Sequence, residues 1–289
     1  MKTRTRLEIR PSGAALGADI VGFPWDDFDG EDVTAARRAW LDHSVVRFRD
    51  TAMDDETQIR FSGFLGEFVI HPRQMQQGAH KGHREILVVS NLKNADGTPA
   101  GDLGDGEVHW HTDTWFKEKP PAASILRALQ VPASGGNTQF CSMYAVYASL
   151  PQALKDAVAG REIQHQTVID GRGDVRLGMT RPASDDVRTW PGVRHPIVRT
   201  HGETKRKALY LGGQPRHSWI VGLPLDESRA LLDELWSRVG KPEHVWTQVW
   251  RAGDMVIWDN RCAVHRRDAF DPAATRLMHR TAIEGERPV

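Results

Sequence analysis

Cysteine is nearly absent. The chain holds only Cys141 and Cys262, far apart and in no Cys-x-x-Cys pair. That argues against a disulfide framework and against a thiolate zinc site, and the expected compartment is a reducing cytoplasm. A charge surplus is also missing, because 38 Lys and Arg face 38 Asp and Glu. Nucleic acid, whose phosphates call for a basic surplus, is therefore not an expected partner. Apolar runs of about 18 residues or more, the length of a spanning helix, do not occur, so a membrane is not an expected partner either. Residues 1–6 are basic but no apolar stretch follows them, so a secretory signal is not expected. Repeats, low-complexity blocks and long linkers are lacking as well. With 39% hydrophobic and 26% charged residues, positions 1–289 read as a single domain with loop and helical insertions.

Histidine and tryptophan are abundant instead, at 13 and 10 residues. Histidine at that density points to metal or acid–base chemistry without saying which residues carry it. Apolar spacing predicts helices over 32–43, 55–65 and 226–239, and a helical stretch over 142–160 interrupted at Pro151. Strands are expected at 7–10, 44–48, 86–89, 108–115, 244–250, 255–258 and 276–283. The polar segments 91–107 and 170–193 read as long loops, which in compact domains often serve as lids. Many short strands with a few peripheral helices predict a mainly β protein built on a double sheet.

The most informative segment is Val108-His109-Trp110-His111-Thr112-Asp113. Alternate residues of a strand share a face, so His111 and Asp113 would project together. An imidazole and a carboxylate so placed, with one more ligand, make a two-His-one-carboxylate face that suits non-haem Fe(II). His109 lies on the same face and competes as a ligand. A third donor is available in His265, after Trp258-Asp259-Asn260-Arg261. The same pattern also fits a strand bearing an exposed ion pair and a solvated loop histidine. Arg276 and Arg280 share a face of the last strand, along with Met278. If that face is internal, an anionic small molecule would balance their charge, and arginine offers a carboxylate two parallel hydrogen bonds. If the strand is turned round, both are ordinary solvated arginines. Thr138, after Ser134-Gly135-Gly136-Asn137, is either a further ligand contact or a turn cap.

Together these pieces resemble the Fe(II)/2-oxoglutarate-dependent dioxygenases of the taurine dioxygenase and 2,4-dichlorophenoxyacetate dioxygenase (TauD/TfdA) family. The likeness runs over nearly the whole chain. It is carried by Trp110-His111-Thr112-Asp113, Pro120-Pro121-Ala122, Pro132 to Thr138, His195 to His201, Leu209-Tyr210-Leu211-Gly212, Trp258 to His265, and Arg276 to Arg280. The resemblance implies a double-stranded β-helix, or jelly roll, using Fe(II), 2-oxoglutarate and O2. It implies His111, Asp113 and His265 as iron ligands, which sets His109 behind them. Thr138 and Arg276 would hold the distal carboxylate of 2-oxoglutarate, and Arg280 would meet the substrate anion or assist the cosubstrate. His71 would contact substrate. Glu107 stands where the taurine enzyme has Asn, a departure that speaks against taurine itself. The expected reaction is hydroxylation of an aliphatic C–H of a small anionic substrate, with succinate and CO2 as co-products. Aryloxyalkanoates are favoured and sulfonates or alkyl sulfates come second. Dimers or tetramers are the expected range of assembly. A jelly-roll metal- or ligand-binding protein without turnover is the reading from a different class.

Overall fold

A computed structural model describes residues 7–71, 80–105, 107–169, 175–176, 178–213 and 215–289. In chain order the first strands are β1 (Glu8–Pro11), β2 (Ala18–Val21), β3 (Val45–Phe48), β4 (Leu87–Ser90), β5 (Asp102–Leu103), β6 (Val108–His111), β7 (Ala123–Gln130) and β8 (Thr138–Ser142). They continue with β9 (Glu162–Gln166), β10 (Gly192–Pro196), β11 (Val198–Thr200), β12 (Lys207–Leu209), β13 (Ser218–Ile220), β14 (Val245–Gln248), β15 (Met255–Asp259), β16 (Ala263–Arg267) and β17 (Leu277–Ile283). The helices are α1 (Gly30–His43), α2 (Asp55–Gly63), α3 (Met143–Ser149), α4 (Gln152–Val158) and α5 (Leu225–Trp236).

Two sheets form the body. The larger has eight strands in the order β1-β2-β3-β15-β7-β17-β4-β5, and the smaller has four in the order β14-β8-β16-β6. This is the mainly β jelly roll that the sequence leads one to expect. Side-chain alternation sorts each strand into an inner and an outer set. On β15, Val256 and Trp258 enter the core between the sheets, while Met255 and Ile257 join the outer cluster under α1 and α2. On β7, Leu126 and Ala128 point in and Ile125 points out. On β16, Ala263 is inside and Val264 lies in the cluster beneath α3 and α5. The space between the sheets is therefore reached by Ser124 of β7, His265 and Arg267 of β16, Thr138 and Phe140 of β8, and Met278 and Arg280 of β17. Among the described residues no helix is long and apolar enough to cross a membrane.

Several elements differ from expectation: β2, β5, β7 to β13 and β16, which carries His265, were not expected as strands, and three cases bear on the site. The strand expected over 108–115 ends at His111. Beyond it the Thr112 N–H donates to the Gly212 carbonyl at 2.8 Å, and Thr114 takes a positive φ, so the chain turns. The segment 91–107 is not all loop, because β5 within it pairs in parallel with β4 through Val89 and Asp102. Strand β7, at the middle of the larger sheet, was not expected. It is buried on both faces and so shows no apolar–polar alternation. Of the second polar excursion, residues 170–174 and 177 lie outside the described residues.

Candidate metal and cosubstrate site

Strands β6 and β16 pair with His111 directly opposite His265, and their imidazole centroids lie 4.2 Å apart. Asp113 joins them from the turn after β6 rather than from the strand itself. Its Oδ1 lies 3.9 Å from Nε2 of His111 and 4.0 Å from Nε2 of His265. His111 donates its Nδ1–H to the His109 carbonyl at 2.7 Å, which leaves Nε2 as the lone-pair nitrogen. Donor atoms of the three side chains lie within 4.8 Å of one another, yet none hydrogen-bonds another. Small contractions would bring all three to the roughly 2.0–2.2 Å reach of a divalent ion.

Two other clusters of similar composition are closed by their own hydrogen bonds. In one, His279 donates Nδ1–H to Asp55 at 2.6 Å, and Arg127 also holds that carboxylate. In the other, His201 donates Nε2–H to Asp259 at 3.0 Å, and Arg261 grips both carboxylate oxygens. His279 and His201 are thus engaged as donors, while His80, the third member of the first cluster, keeps its Nε2 3.4 Å from Asp55 without a hydrogen bond. In the His111–Asp113–His265 group no donor is tied to another by a hydrogen bond, and its two-His-one-carboxylate set fits Fe(II).

Electrostatics favour the same ionisation. Burial pushes the Asp113 carboxyl up, but the Arg280 guanidinium, His265 and His111 outweigh it and hold the carboxyl well below the usual range. Burial, then the neighbouring His111, pushes His265 down to about 3, and burial lowers His111. Neutral imidazoles beside a carboxylate are the forms a metal needs.

Beside this group lies a second, cationic region. Arg276 is 2% exposed and its Nε has no hydrogen-bond partner among the described residues. Arg267 of β16 is also buried and donates to the Gly104 carbonyl at 3.0 Å. Burial, then Arg267, pushes Arg276 down to about 9. Thr138 stands directly across from Arg267 in the β8–β16 register. Its hydroxyl accepts from Trp250 Nε1 at 3.0 Å, so its own proton is left to donate. Gly136 permits this packing. A Cβ there would stand 3.4 Å from Cδ and Nε of Arg276, at a φ of +63°.

Arg280 and Arg276 are both inside, but they do different things. Arg280 donates Nη1–H to Asp113 Oδ1 at 3.0 Å. Arg276 immediately precedes β17, whereas Arg280 lies within it. Glu107 is not brought to the triad. Its carboxylate lies 3.5 Å from Arg266, the β16 residue between inward-facing His265 and Arg267, and Arg266 in turn covers the Trp110 ring. His71 is half-buried at the edge of the described residues, next to 72–79. Three residues given no role from sequence sit in or against the site: Arg267, Ser124 and Asn260. Asn260 was visible within Trp258-Asp259-Asn260-Arg261, but nothing in that motif shows what it touches. Ser124 lies on the unexpected strand.

The sequence model of the family described as taurine catabolism dioxygenase TauD, TfdA family, matches residues 8–282. The chain belongs to this TauD/TfdA family. It is 32% identical over 253 residues to the alpha-ketoglutarate-dependent 2,4-dichlorophenoxyacetate dioxygenase of Burkholderia sp. (strain RASC), covering 84% of this chain and 82% of that one. It is 33% identical over 293 residues to the alpha-ketoglutarate-dependent sulfate ester dioxygenase of Pseudomonas putida, covering 98% and 91%. Among solved structures, AAD-2 in complex with Mn(II) and N-oxalylglycine superposes with a TM-score of 0.78 at 27% identity, covering 98% of this chain and 99% of that one. As a TauD/TfdA member, the chain is a 2-oxoglutarate-dependent non-haem iron dioxygenase, and its reaction uses Fe(II), 2-oxoglutarate and O2.

Proposed function

We propose that this TauD/TfdA dioxygenase, a single domain over 1–289, hydroxylates an aliphatic C–H of a small organic anion, with aryloxyalkanoates as the favoured class. The observation that carries this reading is Arg280, an inward-facing guanidinium 3.0 Å from Asp113 Oδ1. A cation there places a substrate anion within reach of the iron ligands. Trp115 supports an aromatic substrate. Its ring lies 6.1 Å from that of His111 and 5.7 Å from that of Phe116.

Under this reading His111, Asp113 and His265 would hold Fe(II). Thr138 and Arg276 hold the distal carboxylate of 2-oxoglutarate and so orient it. Bound iron, with 2-oxoglutarate and O2, supplies the oxidising chemistry, and the buried walls exclude water from it. Arg280 positions the substrate by its charge. His71 remains a candidate substrate contact, and Glu107 would act only from outside the group just described. Sulfate esters are the second reading, favoured by the 33% identity to the P. putida enzyme.

Succinate release tests the choice. The purified protein is supplied with Fe(II), 2-oxoglutarate, O2 and a panel of aryloxyacids, alkyl sulfates and sulfonates. Aryloxyacids are expected to stimulate succinate formation most. A panel in which alkyl sulfates stimulate and aryloxyacids do not would replace the first reading with the second.

A further inference from the structure

Asp113 can bind a metal through one oxygen or through two, and the side chains behind it bear on which. Asn260 follows β15 in a tight turn and is 1% exposed. Its Oδ1 accepts two N–H groups, the Trp258 indole at 3.0 Å and the Asp113 backbone at 3.3 Å. Two donors on that atom fix the amide's orientation, so Nδ2 must point the other way. It donates to Ser124 Oγ at 3.1 Å. With that lone pair engaged, the Ser124 hydroxyl directs its own proton to Asp113 Oδ2 at 2.6 Å. The ring closes on Asp113, held through its backbone and its carboxylate by the same asparagine. Ser124 is fully buried, so water does not compete for these bonds.

We propose that Ser124 and Asn260 are positioning residues that pin Oδ2 of Asp113 and make it a one-oxygen ligand to iron. This rests on the reading of His111, Asp113 and His265 as the iron site. Oδ1, turned toward both imidazoles, keeps one lone pair for the metal while the other accepts from Arg280. A carboxylate free to rotate would offer both oxygens and fill a coordination position that 2-oxoglutarate or O2 needs. The lock thus serves the openness of the face as well as its affinity.

Ser124→Ala, Ser124→Thr, Asn260→Asp and Asp113→Ala test this, with Co(II) as the metal probe. Affinity is measured by calorimetry, and the visible Co(II) bands are recorded at saturating metal. Ser124→Ala is expected to weaken Co(II) binding by about 10- to 100-fold, the usual cost of losing a partner of a ligand. Its Co(II) bands should change in intensity even when the site is full, which a purely structural role would not cause. Ser124→Thr, which keeps the hydroxyl, should restore both. Asn260→Asp keeps the acceptor but replaces the donor to Ser124 with a second acceptor, which competes with Asp113 for the Ser124 proton. It should weaken binding in the same direction, and it covers the case in which Ser124→Ala does not fold. Ser124→Ala or Asn260→Asp binding Co(II) within about twofold of the parent, with unchanged bands, would overturn the lock. If Asp113→Ala also kept its affinity, the iron-site reading itself would fall. Loss in Asp113→Ala alone would remove the lock and leave that reading intact.

Discussion

A buried guanidinium is costly unless something meets it. Arg276 sits at 2% exposure, with no partner on Nε and with Arg267 as a cationic neighbour. An arrangement that weakens the protein alone and strengthens its complex is expected at a binding site. Arg276→Met should therefore leave the melting temperature of the ligand-free protein unchanged or higher. It should also abolish the stabilisation given by 2-oxoglutarate, which for the parent is about 2.7 kcal/mol at a hundredfold excess over Kd. Melting curves with Mn(II), with and without 2-oxoglutarate, decide this, and an undiminished ligand shift in the variant would move the cosubstrate elsewhere. The arginine pair was legible as a pair of cations on one strand. That the two would part company, one to Asp113 and one beside Arg267, was not, because it depends on which residues of other strands face each of them. Asp113 is a similar case. Its partnership with His111 was expected from strand alternation, yet it arises from a turn in which the Thr112 N–H is bonded to the Gly212 carbonyl. A Cβ on Gly212 would stand 2.6 Å from the His165 ring and 2.7 Å from the Trp115 ring, so the turn depends on a glycine contributed from far along the chain.

Among the elements, helices with one apolar face were legible, whereas buried strands were so only unevenly, since β15 was expected at 255–258 and β7 was not. The start of α1 shows how local the signal can be. Asp29 caps the helix, its carboxylate accepting from Glu31 N at 2.9 Å and Asp32 N at 3.3 Å, while Asp32 returns a bond to Asp29 N at 3.1 Å. Spacing placed the helix two residues late, at Asp32, because both acids are good caps and only the reciprocal bonds tell them apart. Val33, Ala36, Ala39 and Trp40 then pack on the outer face of the larger sheet, away from the site. Asp29→Ala should cost about 1 kcal/mol in urea unfolding, the typical value of a lost cap. The KM for 2-oxoglutarate should not move. A change in KM would mean that α1 is coupled to the space between the sheets. Strand β7 carried no such signal. Residues buried on both faces look alike whether helical or extended, and Ser124 was hidden with the strand that holds it.

Across the whole molecule, one ionic network ties the far ends of the chain to the residue before Asn260. Asp259 accepts from Arg261 Nε and Nη2, each at 2.8 Å, and from His201 Nε2 at 3.0 Å. Arg261 reaches Glu203 at 2.7 Å, Glu203 reaches Arg37 of α1 at 2.5 Å, and Glu286 near the C-terminus binds Arg199 at 2.8 Å. Burial raises the Asp259 carboxyl, but Arg261 and then His201 overcome it and bring it from 3.8 down to about 2. A carboxylate lowered on folding contributes stability that is fully present above its unfolded value and is lost as pH falls toward its folded one. The window is therefore acidic, from just above pH 4 down to about 2. At about 1.4 kcal/mol per unit, the full loss is about 2 kcal/mol. Asp259→Asn cannot titrate. It should be less stable than the parent at neutral pH, because Arg261 loses one of its two carboxylate partners, and its stability should fall less steeply between about pH 4 and 2. Urea midpoints across that range measure the slope. Parallel curves would show that the acid sensitivity arises at other carboxylates. The network also bears on the site, because the turn it anchors carries Asn260. In the variant, loss of Co(II) affinity at neutral pH in step with loss of stability would connect the ion pairs at the periphery to the orientation of Asp113.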